Sequence, residues 1–175
     1  MKEFESNENN LIIGEHVVIK ERSQLSQLLS IEYEQLQKIK SLRIENQIID
    51  EDLWFKITLI DKLESLYFLN CNIDAKIYLC DVPEVSKIGF IKCGLTSEKL
   101  DEIFHSLPSY SYIDILDLSE NKIGENPELF IETSEHCYSL ARYIRALILF
   151  DNGFDKDSIL DIKNRCYYIY GKIII

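Results

Sequence analysis

The sequence predicts an α/β fold in which about six to seven short strands form one parallel sheet, with helices and turns returning the chain between them. The first observation is a phrase of apolar residues that occurs six times, most clearly between Ile113 and Ile123 as I-D-I-L-D-L-S-E-N-K-I. The second is its spacing, since successive copies lie about 22 to 31 residues apart. The third is the alternation within each copy, because an apolar-x-apolar core is typical of a short strand with one buried face.

Each copy contributes one strand, and these strands should run in the same direction because each copy stacks on the one before it. The apolar positions of the phrase are filled in all six copies, with Gly14 as the single exception. The predicted strands are residues 17–19, 42–44, 66–68, 88–90, 116–118 and 147–149, and the apolar end 167–175 predicts a further strand.

The segments between the strands are partly readable. Apolar residues at helical spacing predict helices within residues 25–39, 53–63 and 97–107, the last opened by Thr96 and closed by Pro108. Residues 74–84 are too few for a good helix, and Pro83 favours a turn or a single 3₁₀ turn. A further helix should begin near Pro127, and another should lie within residues 155–166.

The ninth position of the phrase holds a residue that can donate a hydrogen bond in every copy: Arg22, Gln47, Cys71, Cys93, Asn121 and Asn152. Asn, Gln and Cys side chains can donate to carbonyl groups where the chain turns out of its strand. We therefore interpret Cys71 and Cys93 as structural thiols. The alternative, a metal or redox site, lacks the further ligands that a Cys-x-x-Cys or His-x-x-x-His motif would bring.

Written as L-x-x-L-x-L-x-x-N-x-L with Ile replacing Leu, the phrase resembles the leucine-rich repeat family, in particular its short bacterial or ribonuclease-inhibitor-like members with helices on the convex side. The resemblance covers roughly residues 14 to 170 and departs from the family at Arg22 and Gln47. It implies a curved solenoid whose parallel sheet lines the concave side. We therefore divide the chain into a polar N-terminal segment, 1–13, and a single repeat domain, 14–175.

The C-terminus is unusual for a solenoid, because such folds commonly end in a polar cap and this chain ends in three isoleucines. One interpretation is a capping strand that packs back over the last repeat. The other is an edge strand that pairs with a second chain and forms a homo-oligomer.

Composition restricts the partners. A net charge of −11 and a pI near 4.7 argue against nucleic-acid binding and suit a basic protein partner, although solubility alone also explains them. No apolar run is long enough to cross a membrane, and no secretory signal is evident. We therefore expect no membrane association. The five cysteines lack paired spacing, which fits a reducing compartment, so we expect a cytoplasmic protein.

The resemblance implies that outward residues of the strands, and those just after them, form a concave binding face. Its predicted apolar residues are Tyr67, Leu69, Ile91, Ile115, Ile148 and Phe150, and its predicted polar rim is Arg43, Glu45, Lys87, Lys92, Asp117, Glu120 and Asp151. Exposed apolar clusters with a polar rim are typical of partner sites. The alternative is that other segments of the chain fold over this face and bury it.

We expect no catalysis, cofactor or metal. His16, His105 and His136 fall in different segments, and no glycine-rich phosphate loop is present. The leading hypothesis is a non-catalytic module that binds a protein through its concave face. A sharper version is an acidic inhibitor that resembles bacterial immunity proteins masking a basic toxin. The alternatives are a scaffold that self-associates through its C-terminal edge and a host-directed effector.

Overall fold

The computed structural model describes residues 11–107, 112–139, 143–166 and 170–175. One parallel sheet contains seven strands, each paired with its neighbour in chain order: β1 (His16–Ile19), β2 (Ser41–Glu45), β4 (Ser65–Leu69), β6 (Lys87–Ile91), β7 (Tyr112–Asp117), β8 (Tyr143–Ile148) and β9 (Tyr170–Ile174). A second parallel pair joins β3 (Ile48–Ile49) to β5 (Asn72–Ile73). The predicted α/β class and the parallel pairing are thus confirmed.

Helices occupy the return segments: α1 (Arg22–Ser30), α2 (Tyr33–Leu36), α3 (Glu51–Thr58), α4 (Ser97–His105), α5 (Pro127–Ser139) and α6 (Lys156–Arg165). The start of α5 at Pro127 and a 3₁₀ turn at Leu79–Asp81 are as predicted, and a second 3₁₀ turn lies at Ile123–Glu125. The Thr96 side chain accepts a hydrogen bond from the Lys99 amide and so caps α4. Within the described ranges, no helix combines the length and apolarity needed to cross a membrane.

Some predicted features lie outside the described residues, namely most of the segment 1–13, Pro108 and the start of the final strand 167–175. Two strands differ from prediction, because β7 and β8 begin earlier than expected and end one residue earlier. Ile113 and Ile144 are buried opposite each other and join the sheet, which extends both strands toward their starts. The amides of Asp114 and Ile115 both donate to the Ser86 carbonyl, at 2.7 and 3.2 Å.

The core lies between the main sheet and the helices. Alternate strand residues such as Leu42, Leu66 and Leu116 are almost fully buried and belong to one cluster with helix residues such as Leu53 and Phe104. Because side chains alternate along a strand, the remaining strand residues project from the other face of the sheet. We call that other face the open face.

A recurring turn ends the strands. The residue before the ninth position has a left-handed backbone in five turns, at Asn46, Asn70, Lys92, Glu120 and Asp151, with φ between 51° and 58°. The side chains at the ninth position make the hydrogen bonds predicted for them. Gln47 donates to the carbonyls of Lys20 and Glu45, so one bond crosses to the preceding copy and one stays within its own.

The same pattern is repeated by the sulfur and amide side chains of the later turns. Cys71 and Cys93 donate to strand carbonyls at 3.3 to 3.5 Å. Asn121 and Asn152 each donate to carbonyls of their own and the preceding copy. Arg22 is the exception, because it is the first residue of α1. The ninth position therefore holds each turn onto the strand before it.

Candidate interaction face

The register of the sheet arranges the open face in rows that cross the strands. One row crosses the middle of the earlier strands and the last residues of β7, β8 and β9: Val18, Arg43, Tyr67, Gly89, Asp117, Ile148 and Ile174. A second row lies two residues earlier: His16, Ser41, Ser65, Lys87, Ile115, Ala146 and Lys172. Residues that are distant in sequence are therefore neighbours on this face.

The six predicted apolar residues all project from the open face. We call this set the apolar strip: Tyr67, Leu69, Ile91, Ile115, Ile148 and Phe150. Leu69 and Ile91 are register neighbours on β4 and β6. Phe150 is 49% exposed, and the others are partly exposed. The described part of the chain thus leaves apolar surface accessible beside the sheet.

Tyr67 is held in the middle of this face by its neighbours. Its ring lies over Gly89, which has no side chain to displace it. Burial, followed by the nearby Asp117 carboxylate, raises the pKa of the Tyr67 phenol. The phenol therefore stays protonated at neutral pH and remains able to donate a hydrogen bond.

The rim charges are divided into paired and unpaired groups. Glu45 lies between two cations, with its carboxylate 2.7 Å from Arg43 Nε and 3.9 Å from Lys20 Nζ. The Lys92 ammonium is 3.8 Å from the Glu120 carboxylate. Lys92 and Glu120 offset each other, whereas Lys20, Arg43 and Glu45 together carry one net positive charge.

Asp117 and Asp151 differ from those groups. The Asp117 carboxylate accepts hydrogen bonds from the amide and hydroxyl of Ser119, at 3.1 and 2.7 Å. No cation of the described ranges forms an ion pair with Asp117 or Asp151. These two carboxylates therefore provide the uncompensated negative charge next to Ile148 and Phe150.

Sequence reasoning missed two residues of the face. Arg145 and Lys172 lie beside Ala146 near the strand starts. Val18, which the alternation places on this face, is 43% exposed at the β1 end. The outward position of Lys172 could be predicted only by someone who already knew that Ile173 points inward. The run from 167 to 175 shows no clear alternation, so the sequence does not say which of its residues face outward.

Two histidines and one cysteine have well-defined surroundings. His105 and His136, which fall in different segments of the chain, stack with ring centroids 4.7 Å apart on α4 and α5. Among the described residues, no group of three or more His, Cys, Asp or Glu side chains is suited to hold a metal. Partial burial raises the pKa of the Cys93 thiol to about 12, so almost none of this thiol is ionised at neutral pH.

Two comparisons of the sequence with known proteins give no match. A scan against protein-family models finds no match, and a search of curated proteins finds no similar sequence. The interpretation of the open face therefore depends on its own geometry and chemistry.

Proposed function

We propose that this chain is a short leucine-rich repeat solenoid that binds one protein partner through its open face, the concave side in such a fold. The phrase that resembles the family coincides with strands that pair in chain order. The ninth-position side chains link consecutive turns, as expected for repeats that stack on their neighbours. These observations support the family proposal.

The observation that carries the binding proposal is the apolar strip. Its residues lie on strands β4, β6, β7 and β8 and at their ends, within a rim of charged side chains. Partner sites characteristically combine a partly exposed apolar centre, often with Tyr as an anchor, and a polar rim. Tyr67 and Phe150 supply the aromatic contact area of this centre.

We further propose that the partner is basic and that the chain acts as its inhibitor. The net charge of −11 would accelerate encounter with a cationic protein, and Asp117 and Asp151 would orient it on the face. Association should weaken as salt is raised, because exposed charges are screened. The five free thiols support a reducing setting such as the cytoplasm.

The test is affinity capture of wild type and two triple variants from native lysate. The face variant carries Tyr67→Asp, Ile91→Asp and Phe150→Asp. The matched control carries Ile48→Asp, Phe55→Asp and Leu160→Asp, which are exposed apolar residues outside the open-face rows. Both variants add three carboxylates, and circular dichroism would establish that both fold.

A stoichiometric basic protein that is captured by wild type and by the control, but not by the face variant, supports the proposal. Capture of the same protein by all three contradicts use of the open face. A partner that is lost equally with both variants would indicate a general charge effect and would also contradict the proposal.

A second candidate is self-association through β9. This strand pairs with β8 on one side and has no strand partner on its other side within the described chain. Unpaired strand edges are templates for association. Sedimentation over a range of protein concentrations tests it: a dimer that persists in the face variant supports the scaffold, and a monomer throughout contradicts it.

A further inference from the structure

A groove of about 480 Å³ lies on the open face near the starts of strands β6 to β9. We call it the strand-start groove. Its lining residues are Lys87, Asp114, Ile115, Arg145, Ala146 and Lys172. It adjoins the apolar strip, because Ile115 belongs to both.

The register explains the shape of the groove. Lys87, Ile115, Ala146 and Lys172 form one row across four neighbouring strands. The two lysines are three strands apart, roughly 14 Å at the usual strand spacing. Between them the floor consists of one isoleucine and one alanine, and the small Ala146 side chain leaves the depression. The groove thus has an apolar floor with an ammonium group on either side.

The charge of the groove is opposite to that of the molecule. Lys87 and Lys172 are exposed, and neither forms an ion pair with another described residue. Arg145 Nη1 lies 3.5 Å from Asp114 Oδ1, yet the Arg145 side chain is 71% exposed and keeps further N–H donors available. Three cations therefore surround one carboxylate in a chain whose net charge is −11.

This arrangement suits one kind of ligand. A polyanion such as a nucleic acid would be repelled by the net negative charge, and Asp114 disfavours a doubly charged phosphate at close range. A single carboxylate on a short aliphatic stem suits both parts of the groove. The methylene groups would cover Ile115 and Ala146, and the carboxylate would reach Arg145 and one of the lysines.

We propose that the strand-start groove binds a glutamate side chain of the protein partner. This inference rests on the proposed function, because the same face holds the partner. It also fixes how the partner lies. A glutamate faces the strand starts, the apolar contact covers the strip, and basic residues face Asp117 and Asp151 at the strand ends.

The test uses a capped tri-glutamate peptide as the probe, followed through the backbone amide signals of the full chain by NMR. Capped tri-glutamine and inorganic phosphate are the comparison probes. The groove variant carries Lys87→Glu and Lys172→Glu. The matched control carries Lys156→Glu and Lys163→Glu on α6, which produces the same change in net charge away from the groove.

We expect tri-glutamate to shift the amides of Ile115 and Ala146 in wild type and in the control. The groove variant should bind at least about tenfold more weakly, which corresponds to roughly 1.4 kcal/mol. Ala146→Leu should also weaken binding, because it fills the depression without changing the charge. Equal shifts with tri-glutamine or phosphate, or equal affinity of the two double variants, would overturn the proposal.

The capture experiment separates this inference from the proposed function. A partner lost with the face variant but retained in full by the groove variant leaves the proposed function standing and overturns the groove assignment. Tri-glutamate binding at Ile115 and Ala146, with no partner captured by any variant, supports the chemistry of the groove and removes the support for the proposed function.

Discussion

The phenol ring of Tyr67 on β4 lies against the backbone of Gly89 on β6, so closely that a Cβ atom on Gly89 would be 2.7 Å from Cε1 of the ring. Gly89 is buried although it lies on the open face, because the ring covers it. The absence of a side chain at residue 89 therefore sets the position of the aromatic group at the centre of the apolar strip.

Gly89→Ala should destabilise the fold by about 1–3 kcal/mol, because the added methyl group forces the Tyr67 ring away from the sheet. In a Tyr67→Ala background the same substitution should cost close to nothing. Urea denaturation of the wild type, both single variants and the double variant gives this coupling energy. Equal costs in the two backgrounds would show that the ring does not depend on Gly89.

The two ninth-position asparagines should differ in their contribution to stability. Asn121 donates to three carbonyls, and its Oδ1 accepts from the amides of Cys93 and Leu95 at 2.9 and 3.0 Å. Asn152 also donates to three carbonyls, but its buried Oδ1 has no partner among the described residues. Asn121 therefore satisfies more buried polar groups than Asn152 does.

Asn121→Ala should accordingly lower the free energy of unfolding by about 3 kcal/mol or more, because it leaves buried amides and carbonyls unsatisfied. Asn152→Ala should cost about 1–2 kcal/mol less than that. Equilibrium denaturation measures both, and Gln47→Ala provides a more exposed member of the same series. A larger loss for Asn152→Ala would contradict the role assigned to the Oδ1 contacts.

Much of this fold could be predicted from the sequence, because the phrase carries both the two-residue alternation of a strand and a regular recurrence along the chain. The apolar-x-apolar core identifies each strand, and the recurrence of the phrase identifies the parallel order. The prediction was less accurate for β7 and β8, where Ile113 and Ile144 join the sheet. Whether the first apolar position of a phrase pairs depends on the neighbouring copy, and no single phrase contains that information.

The apolar residues of the candidate site could be predicted from the sequence, but the contacts between side chains of different elements could not. Tyr67 and Phe150 follow from the alternation of side chains. The covering of Gly89 depends on the rotamer of a residue in another strand. The stacking of His105 on His136 depends on how α4 packs against α5. Lys172 depends on the register of β9, which a run of similar apolar residues leaves unspecified.

Lys92 should be replaceable by glycine with a gain in stability. Its φ of 55° lies in the left-handed region, which is unfavourable for a lysine and permitted for glycine. We expect Lys92→Gly to raise the free energy of unfolding by up to about 1 kcal/mol. Its exposed ion pair with Glu120 contributes little that would be lost.

Lys122→Gly is the matched control for this substitution. Lys122 is also exposed and near a turn, but its φ is −120°, so glycine there adds freedom to the unfolded chain without relieving strain. Thermal unfolding should show a higher Tm for Lys92→Gly and an unchanged or lower Tm for Lys122→Gly. A lower Tm for Lys92→Gly would mean that the left-handed backbone of Lys92 does not destabilise the folded chain.

The partly buried thiol of Cys93 should make stability depend on pH in the alkaline range. Burial raises its pKa from an ordinary value of 9.0 to about 12, so the unfolded chain loses this proton at lower pH than the folded chain does. The stabilising effect is complete below pH 9 and is lost as the pH rises through 9 toward 12. Cys93→Ser removes the titrating thiol while keeping a hydrogen-bond donor at the position.

The destabilisation caused by Cys93→Ser, measured by urea denaturation, should therefore shrink as the pH is raised from 8 to 10.5. Cys80→Ser is the control, because Cys80 is exposed and the folded and unfolded chains ionise it more nearly alike. Its effect on stability should change less over the same range. A pH-independent difference in unfolding free energy between wild type and Cys93→Ser would contradict this prediction. It would mean that the thiol has the same pKa in the folded and unfolded chains.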